Sequence, residues 1–212
     1  MTELIPLSKI RPNPYQPRQS MDPEAVRELA QSIDNNGLNQ IPTARLGDDG
    51  YYELVFGHRR CAAFQLLDTQ YSDGRFCRMP LNVEELTDLQ MFEKGIAENI
   101  DRRDLNDIEK AEAMRSYMED FGKSSAEAAA FFHCSPEAVR GTVRLLKLPD
   151  EAKNVIRRGV VNISNARTLL TLQSIAGEAA VVEAVSDMGT GIYDTPAEAI
   201  EAQFQAKAVR FD

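Results

Sequence analysis

Strand-like segments separated by turn residues fill the amino-terminal half of this chain and then stop; past Arg103 every apolar pattern repeats at helical spacing. A run of short strands and helices followed only by helices predicts an α+β organisation in separate units, not one alternating parallel sheet. The length of 212 residues accommodates two small domains. The expected division is a small mixed α/β domain over 1–103, an all-α domain over 104–175 and a helical extension over 176–212.

Within the first unit, Leu4 to Arg18 alternates apolar and polar residues and then meets Pro12, Pro14 and Pro17, predicting a short strand that runs into an extended turn. Asp22 caps a helix with Pro23 at its first position, Val26, Leu29, Ala30 and Ile33 on one face, and Asn36-Gly37 at its end. Gln40 to Leu46 and Tyr51 to Phe56 read as strands across a Gly47-Asp48-Asp49-Gly50 turn. A helix from Cys61 to Leu67, a strand near Met79 to Val83 and a helix from about Thr87 to Asn99 complete the unit.

Gly57-His58-Arg59-Arg60 falls where the second of those strands gives way to a helix. Glycine at such a junction lets backbone N–H groups converge on an anion, and two arginines beside it can neutralise a polyphosphate. A purely structural turn fits the same four residues, and the tetrad alone does not choose between the two.

In the second unit Asp104 is expected to cap a helix carrying Ile108, Ala111, Met114, Met118 and Phe121 inward, closed by Gly122. Ser124 then opens a short helix through Phe132, and Ser135-Pro136 opens another that runs through Leu146 and stops before Pro149. Two short helices across a tight turn form a helix-turn-helix candidate, with Ala129 at the close approach and His133 in the turn. Val139, Val143 and Leu146 give the second helix an inward face. Glu137, Arg140, Gly141 and Arg144 point outward, where arginine can read guanine edges or hold phosphate; a solvated basic face on an ordinary bundle is the alternative. Helices over Ser164–Leu172, Glu178–Met188 and one with Thr195 as cap, Pro196 at N1 and Glu198 at the capping-box position follow.

A formal charge of −9 argues at first against nucleic acid as a partner. The charge is segregated, however. Ser135 to Arg167 holds Arg140, Arg144, Lys147, Lys153, Arg157, Arg158 and Arg167 against Glu137, Asp150 and Glu151, whereas the stretch from Gly177 onward is acidic. Three cysteines without CxxC spacing support neither a disulfide framework nor a zinc ribbon, and His58/Cys61 and His133/Cys134 do not assemble four convergent donors. No apolar run is long enough for a membrane span and no basic leader precedes an apolar stretch, so a cytoplasmic protein is expected.

Glu98-Asn99-Ile100-Asp101-Arg102-Arg103-Asp104-Leu105-Asn106, followed by Ile108-Glu109-Lys110-Ala111, closely resembles the signature joining the two domains of ParB-family chromosome and plasmid partition proteins. In order along the chain, Gln16-Pro17-Arg18 resembles that family's first box, Gly37-Leu38-Asn39-Gln40 the segment after its first helix, and Gly57-His58-Arg59-Arg60 its arginine-rich phosphate motif. Leu145-Leu146-Lys147-Leu148-Pro149 resembles the end of its recognition helix, and the similarity spans about residues 4 to 175.

The resemblance implies a ParB/sulfiredoxin-like domain that binds CTP with Mg²⁺ and a helix-turn-helix domain that recognises a short palindromic site on double-stranded DNA. In such proteins nucleotide and DNA together close a homodimer into a sliding clamp, slow hydrolysis helps it reopen, and a ParA-type ATPase drives partition on the nucleoid or plasmid. Carried over by position, Gly57, His58, Arg59 and Arg60 hold the triphosphate, and Gln16, Arg18, Gly37, Gln40 and Arg102 lie around the nucleotide. Glu98 and Asn99 supply oxygen ligands to Mg²⁺ and position the attacking water. Ser124, Ser135, Glu137, Arg140, Arg144 and Lys147 face DNA.

Three departures bear on the nucleotide: His58 stands where the family has glutamate, Asp101 where it has glutamine, and Gln40-Ile41-Pro42 carries one extra residue, which leaves ATP open beside CTP. Neither the family's flexible amino-terminal tail nor its carboxy-terminal dimerisation domain is expected in this sequence, so either the chain is truncated or it dimerises through the nucleotide domain. A helix-turn-helix regulator without nucleotide switching and a sulfiredoxin-like enzyme are the competing readings. The latter needs a reactive cysteine within the phosphate turn, and Cys61 follows both arginines.

Overall fold

The computed structural model describes residues 1–15, 21–101, 105–188 and 193–208. The chain divides into two compact units, Met1–Arg103 and Asp104–Asp212.

The first unit is a five-stranded mixed sheet with helices. Its elements are β1 (Thr2–Pro6), a 3₁₀ turn (Leu7–Lys9), β2 (Ile10–Arg11), α1 (Pro23–Asn36), β3 (Thr43–Leu46), β4 (Tyr52–Leu54), α2 (His58–Tyr71), β5 (Arg78–Glu84) and α3 (Asp88–Asp101). Strand order is β1-β5-β3-β4-β2. β1 pairs antiparallel to β5 with Thr2 opposite Asn82, β5 runs parallel to β3, β3 antiparallel to β4, and β4 parallel to β2. Ile5, Ile10, Ala44, Leu54, Met79 and Leu81 from the strands bury against Ala30 and Ile33 of α1 and Ala63, Phe64 and Leu67 of α2. Asp22 caps α1 by accepting the Glu24 N–H at 3.0 Å, with Pro23 at the first helical position.

The strands are shorter than the alternation suggests. β3 begins at Thr43, not Gln40, because the residues ahead of it include Pro42, which cannot donate to a ladder. β4 ends at Leu54 as the chain turns toward Gly57, and the first strand begins earlier than expected, at Thr2. Arg45 joins the centre of the sheet to α3 through Glu53 at 2.8 Å and Asp88 at 2.6 Å.

The second unit is helical: α4 (Asp107–Glu119), α5 (Ser125–Phe131), α6 (Pro136–Val143), a 3₁₀ turn (Arg144–Lys147), α7 (Asp150–Arg157), α8 (Ile163–Ala176), α9 (Glu178–Asp187) and α10 (Pro196–Ala208). Ile108, Leu145, Leu148, Ala152, Ile156, Leu169, Leu172, Val181, Ala184 and Ile200 form one core, so the helices from 178 onward pack with the helix-turn-helix segment in a common interior. Among the described residues no helix is long and apolar enough to cross a membrane.

The cap of α4 is Asn106, whose Oδ1 accepts the N–H groups of Ile108 and Glu109 while Glu109 returns a carboxylate to the Asn106 N–H. That box displaces the expected cap at Asp104, which lies outside the described residues. α7, not anticipated in the sequence, forms after Pro149 with Ala152 and Ile156 inward. Thr195 accepts the Glu198 N–H at 3.3 Å, but the Glu198 carboxylate reaches Asp194 N–H instead of the cap residue. The second helix of the pair is α only to Val143 and tightens to 3₁₀ over 144–147; the fully buried residues are Val139 and Leu145, whereas Val143 and Leu146 are half-buried.

The turn between α5 and α6 takes a Schellman form. Cys134 N–H donates to Ala129 O at 2.9 Å and His133 N–H to Ala130 O at 3.4 Å, with His133 left-handed at φ 52. A non-glycine residue there is strained, and His133→Gly is expected to raise the unfolding free energy of this unit by about 0.5–1 kcal/mol, the strain relief exceeding glycine's entropy in the unfolded chain. Urea unfolding of the two proteins checks this. An unchanged or lower midpoint in the variant would show that the imidazole makes a compensating contact.

Candidate functional site

The helix α2 opens on Gly57, whose φ of 95 and ψ of 22 are left-handed. A Cβ there would sit 2.6 Å from Pro42 Cβ and 2.8 Å from Pro42 Cγ, so both the dihedral and the space require glycine. Arg60 and Cys61 direct their N–H groups at Gly57 O, at 2.9 and 3.1 Å. No side chain caps the helix and no acidic residue lies in its first turn, so the amides of His58 and Arg59 point beyond it with the positive end of the helix dipole behind them. That arrangement suits an anion.

The three side chains of the tetrad go different ways. Arg60 Nη2 donates to Gln40 Oε1 at 2.5 Å, bringing together two of the expected nucleotide residues. Arg59 reaches along α1 to Ala25 O at 3.5 Å. His58 turns inward: its Nε2 accepts the Asn13 N–H at 3.0 Å, and burial pulls its pKa down to about 4, so the ring is neutral. It therefore faces the preceding segment with its Nε2 already engaged. Gly37 closes α1 at φ 76. Gln16, Arg18 and Arg102 lie outside the described residues.

Glu98 and Asn99 occupy the last turn of α3. Asn99 Nδ2 donates to Gly95 O at 2.7 Å, leaving Oδ1 as the atom able to meet a cation. Gly95, one helical turn earlier on the same face, abuts Val55 O and Asn13 Nδ2: a Cβ would lie 3.0 and 3.1 Å from them. This face of α3 thus looks toward the end of β4 just ahead of Gly57. Sequence neighbours on a helix diverge by about 100°, so Glu98 must use its reach to converge with Asn99. One carboxylate and one amide oxygen match the sparse protein ligation usual for Mg²⁺, which keeps water and phosphate oxygens as its other ligands. Among the described residues no three histidine, cysteine or acidic side chains cluster as a metal site of their own. Burial pushes the Cys61 thiol up to about 11, the opposite of a reactive cysteine.

In the second unit Ser124 and Ser135, both expected against DNA, are helix caps. Ser124 Oγ accepts the Glu127 N–H at 3.2 Å and donates to the Glu127 carboxylate at 2.8 Å, and Ser135 Oγ accepts the Ala138 N–H at 3.1 Å. Their sequence positions at helix starts explain the assignment. Arg140 pairs with Glu137 at 2.8 Å and lies 3.4 Å from Ser125 Oγ, bridging the second helix to the start of the first. Arg144 and Lys147 continue the same exposed stripe. The basic run splits in space: Lys153 and Arg157 are paired with Asp150 and Glu112, at 2.7 and 2.9 Å. Arg144, Lys147 and Arg167 form no ion pair among the described residues.

Arg167 is a residue that sequence patterning did not single out. It projects from α8 toward the outward helix, its guanidinium 3.9 Å from where a Gly141 Cβ would be. Its charge was visible in the basic run, but only folding of α8 over α6 places it there. Asn13, likewise missed, was signalled by Asn13-Pro14, a turn-favouring pair.

An α/β unit that starts a helix on a left-handed glycine beside arginine, joined to a helix-turn-helix unit with an exposed basic stripe, defines a two-domain protein of anion-turn and helix-turn-helix type. The chain belongs to the ParB family: residues 1–100 match the ParB N-terminal domain and residues 103–203 the ParB HTH domain. It is 37% identical over 169 residues to the chromosome-partitioning protein Spo0J of Thermus thermophilus, a match covering 80% of this chain and 60% of that relative's length. The C-terminally truncated ParB of Caulobacter crescentus complexed to the centromeric parS site is similar in structure, with TM-score 0.57 and 28% identity over 96% of this chain and 99% of that one. The same truncated protein complexed with CTP-γ-S shares 30% identity, covering 89% of this chain and 98% of that one, but superposes at TM-score 0.41, too loosely to locate a nucleotide here.

Proposed function

We propose that this protein is a nucleotide-gated DNA-binding protein of partition type. Its first unit binds CTP with Mg²⁺, its second binds a specific double-stranded DNA site, and the two ligands together close a homodimer around DNA. The observation that carries the nucleotide part is the uncapped, left-handed Gly57 start of α2 with Arg60 alongside. The phosphates lie against the His58 and Arg59 amides, and Arg60 swings from Gln40 to the triphosphate. Magnesium neutralises triphosphate charge when bound, and Glu98 and Asn99 would hold it. Gln16, Arg18 and Arg102 complete the phosphate surroundings in this reading.

The DNA part rests on Arg140, Arg144, Lys147 and Arg167. Arg140 reads a base edge, with Glu137 orienting its guanidinium, while Lys147 and Arg167 hold phosphate. Arg140→Ala is expected to weaken binding to the cognate site by roughly 1–3 kcal/mol and relax specificity at one position, whereas Lys147→Ala lowers affinity evenly and reduces the salt slope by about one. Fluorescence anisotropy at several salt concentrations separates the two; an Arg140→Ala protein with full specificity removes that residue from base contact.

The direct experiment titrates the four nucleoside triphosphates, with Mg²⁺ and with or without DNA, into the wild-type chain and Arg60→Ala. A triphosphate at hundredfold excess over its dissociation constant stabilises the native state by about 2.7 kcal/mol. CTP is expected to raise the melting temperature of the wild type and leave Arg60→Ala unmoved. No shift with any triphosphate would favour a plain helix-turn-helix regulator.

A further inference from the structure

We propose that His58 is a positioning residue that locks the Gly57 turn to the segment 13–15, so that the turn and this segment respond to a phosphate as one body. The link stands on the geometry of unit 1; its role toward a phosphate rests on the nucleotide reading above.

His58 follows Gly57 directly, and its Nε2 accepts the main-chain N–H of Asn13 at 3.0 Å. An imidazole nitrogen accepts only when unprotonated, which fixes the ring as neutral with its proton on Nδ1. Asn13 itself is 6% exposed, and both polar atoms of its side chain are engaged. Its Oδ1 accepts the Tyr15 N–H at 2.8 Å and its Nδ2 donates to Val55 O at 3.2 Å. Gly95 of α3 closes the other side, where any side chain would press on Val55 O and Asn13 Nδ2. Two residues on, the Tyr15 ring meets Phe92 edge-on at 6.3 Å, and burial together with the neighbouring Asp88 carboxylate raises the pKa of its hydroxyl.

Residues 13–15 are thus fastened to the start of α2, the end of β4 and the first turns of α3. Removing the imidazole acceptor leaves a buried amide without a partner and frees the turn from that post. A glutamate at 58 could accept the same N–H, but would add a negative charge beside the phosphates; histidine makes the contact without charge.

The test uses the full chain as wild type, His58→Leu and His58→Gln, because a glutamine oxygen can stand where Nε2 stands. Three readouts are taken: the ¹⁵N shift of His58 Nε2, hydrogen exchange of the Asn13 amide without nucleotide, and calorimetric affinity for CTP with Mg²⁺. The wild type should show an unprotonated Nε2 at neutral pH and a protected Asn13 amide. His58→Leu should lose about tenfold in Asn13 protection and about tenfold in CTP affinity, with His58→Gln restoring most of both. A proton on Nε2, an unprotected Asn13 amide in the wild type, or equal protection in His58→Leu overturns the link. The wild-type readouts decide it even if His58→Leu does not fold. Loss of protection without loss of CTP affinity overturns the coupling. Failure of the wild type to bind CTP instead removes the nucleotide reading, while the exchange and shift data still decide the His58–Asn13 contact.

Discussion

Gly57→Ala is expected to destabilise the first unit by about 2–5 kcal/mol and to abolish triphosphate binding. Two effects add. A residue with a Cβ held in the left-handed region costs about 1–2 kcal/mol, and the new methyl would fall 2.6 Å from Pro42 Cβ, an overlap that backbone movement relieves at a further 1–3 kcal/mol. Pro42 is stiff and precedes β3, so the cheaper response is for the start of α2 to open, which destroys the cradle of amides. Gly74→Ala makes the comparison, since it also has positive φ, at 80, but open space where its Cβ would go. It should show the backbone part alone. Chemical unfolding of both variants, with calorimetry for CTP, reads the two consequences separately; a Gly57→Ala protein within 1 kcal/mol of wild type would mean the turn relaxes without cost.

Acidification supplies the second large effect. Burial lowers the His58 pKa to about 4 from an ordinary 6.5. Between those values the unfolded chain binds a proton that the native state refuses, so stability falls as pH drops through the window and levels off below about 4. The displacement corresponds to about 3 kcal/mol. Carboxylates titrate in the same range, so the measurement is the difference between wild type and His58→Gln in unfolding free energy at pH 7 and pH 4.5. Wild type should lose about 2–3 kcal/mol more than the variant; equal losses would show that His58 is open to solvent and titrates normally.

Much of this architecture was legible in the residues. Asp22-Pro23 marks a helix start through a cap and a missing N–H, and the switch from alternating to helical spacing after Arg103 marks the α+β division. The Gly57 tetrad identified the turn, but side-chain directions were beyond reach: His58 faces inward because a buried amide from a distant segment meets it, and no local pattern encodes that meeting. Ser124 and Ser135 are legible in a different way. A serine at a helix start suits both a cap and a phosphate contact, and the bonds to Glu127 and Ala138 establish the cap. The basic run Ser135–Arg167 was visible as charge, whereas its division into Lys153 and Arg157, which are paired, and Arg144, Lys147 and Arg167, which form no ion pair among the described residues, depends on which acids the helices bring near.

β1 pairs with β5 so that Thr2 stands opposite Asn82, and the sheet of the first unit closes only with residues separated by most of that unit's length. On a ribosome the opening strand therefore has no template until the fifth has emerged, and its pairing carries a large loop-closure cost before any contact repays it. The helical unit behind it, built from neighbours in sequence, is expected to form its structure faster once released. Translation of this protein consequently holds an exposed strand edge in waiting, and conditions that slow synthesis around residues 60–85 should raise its dependence on chaperones.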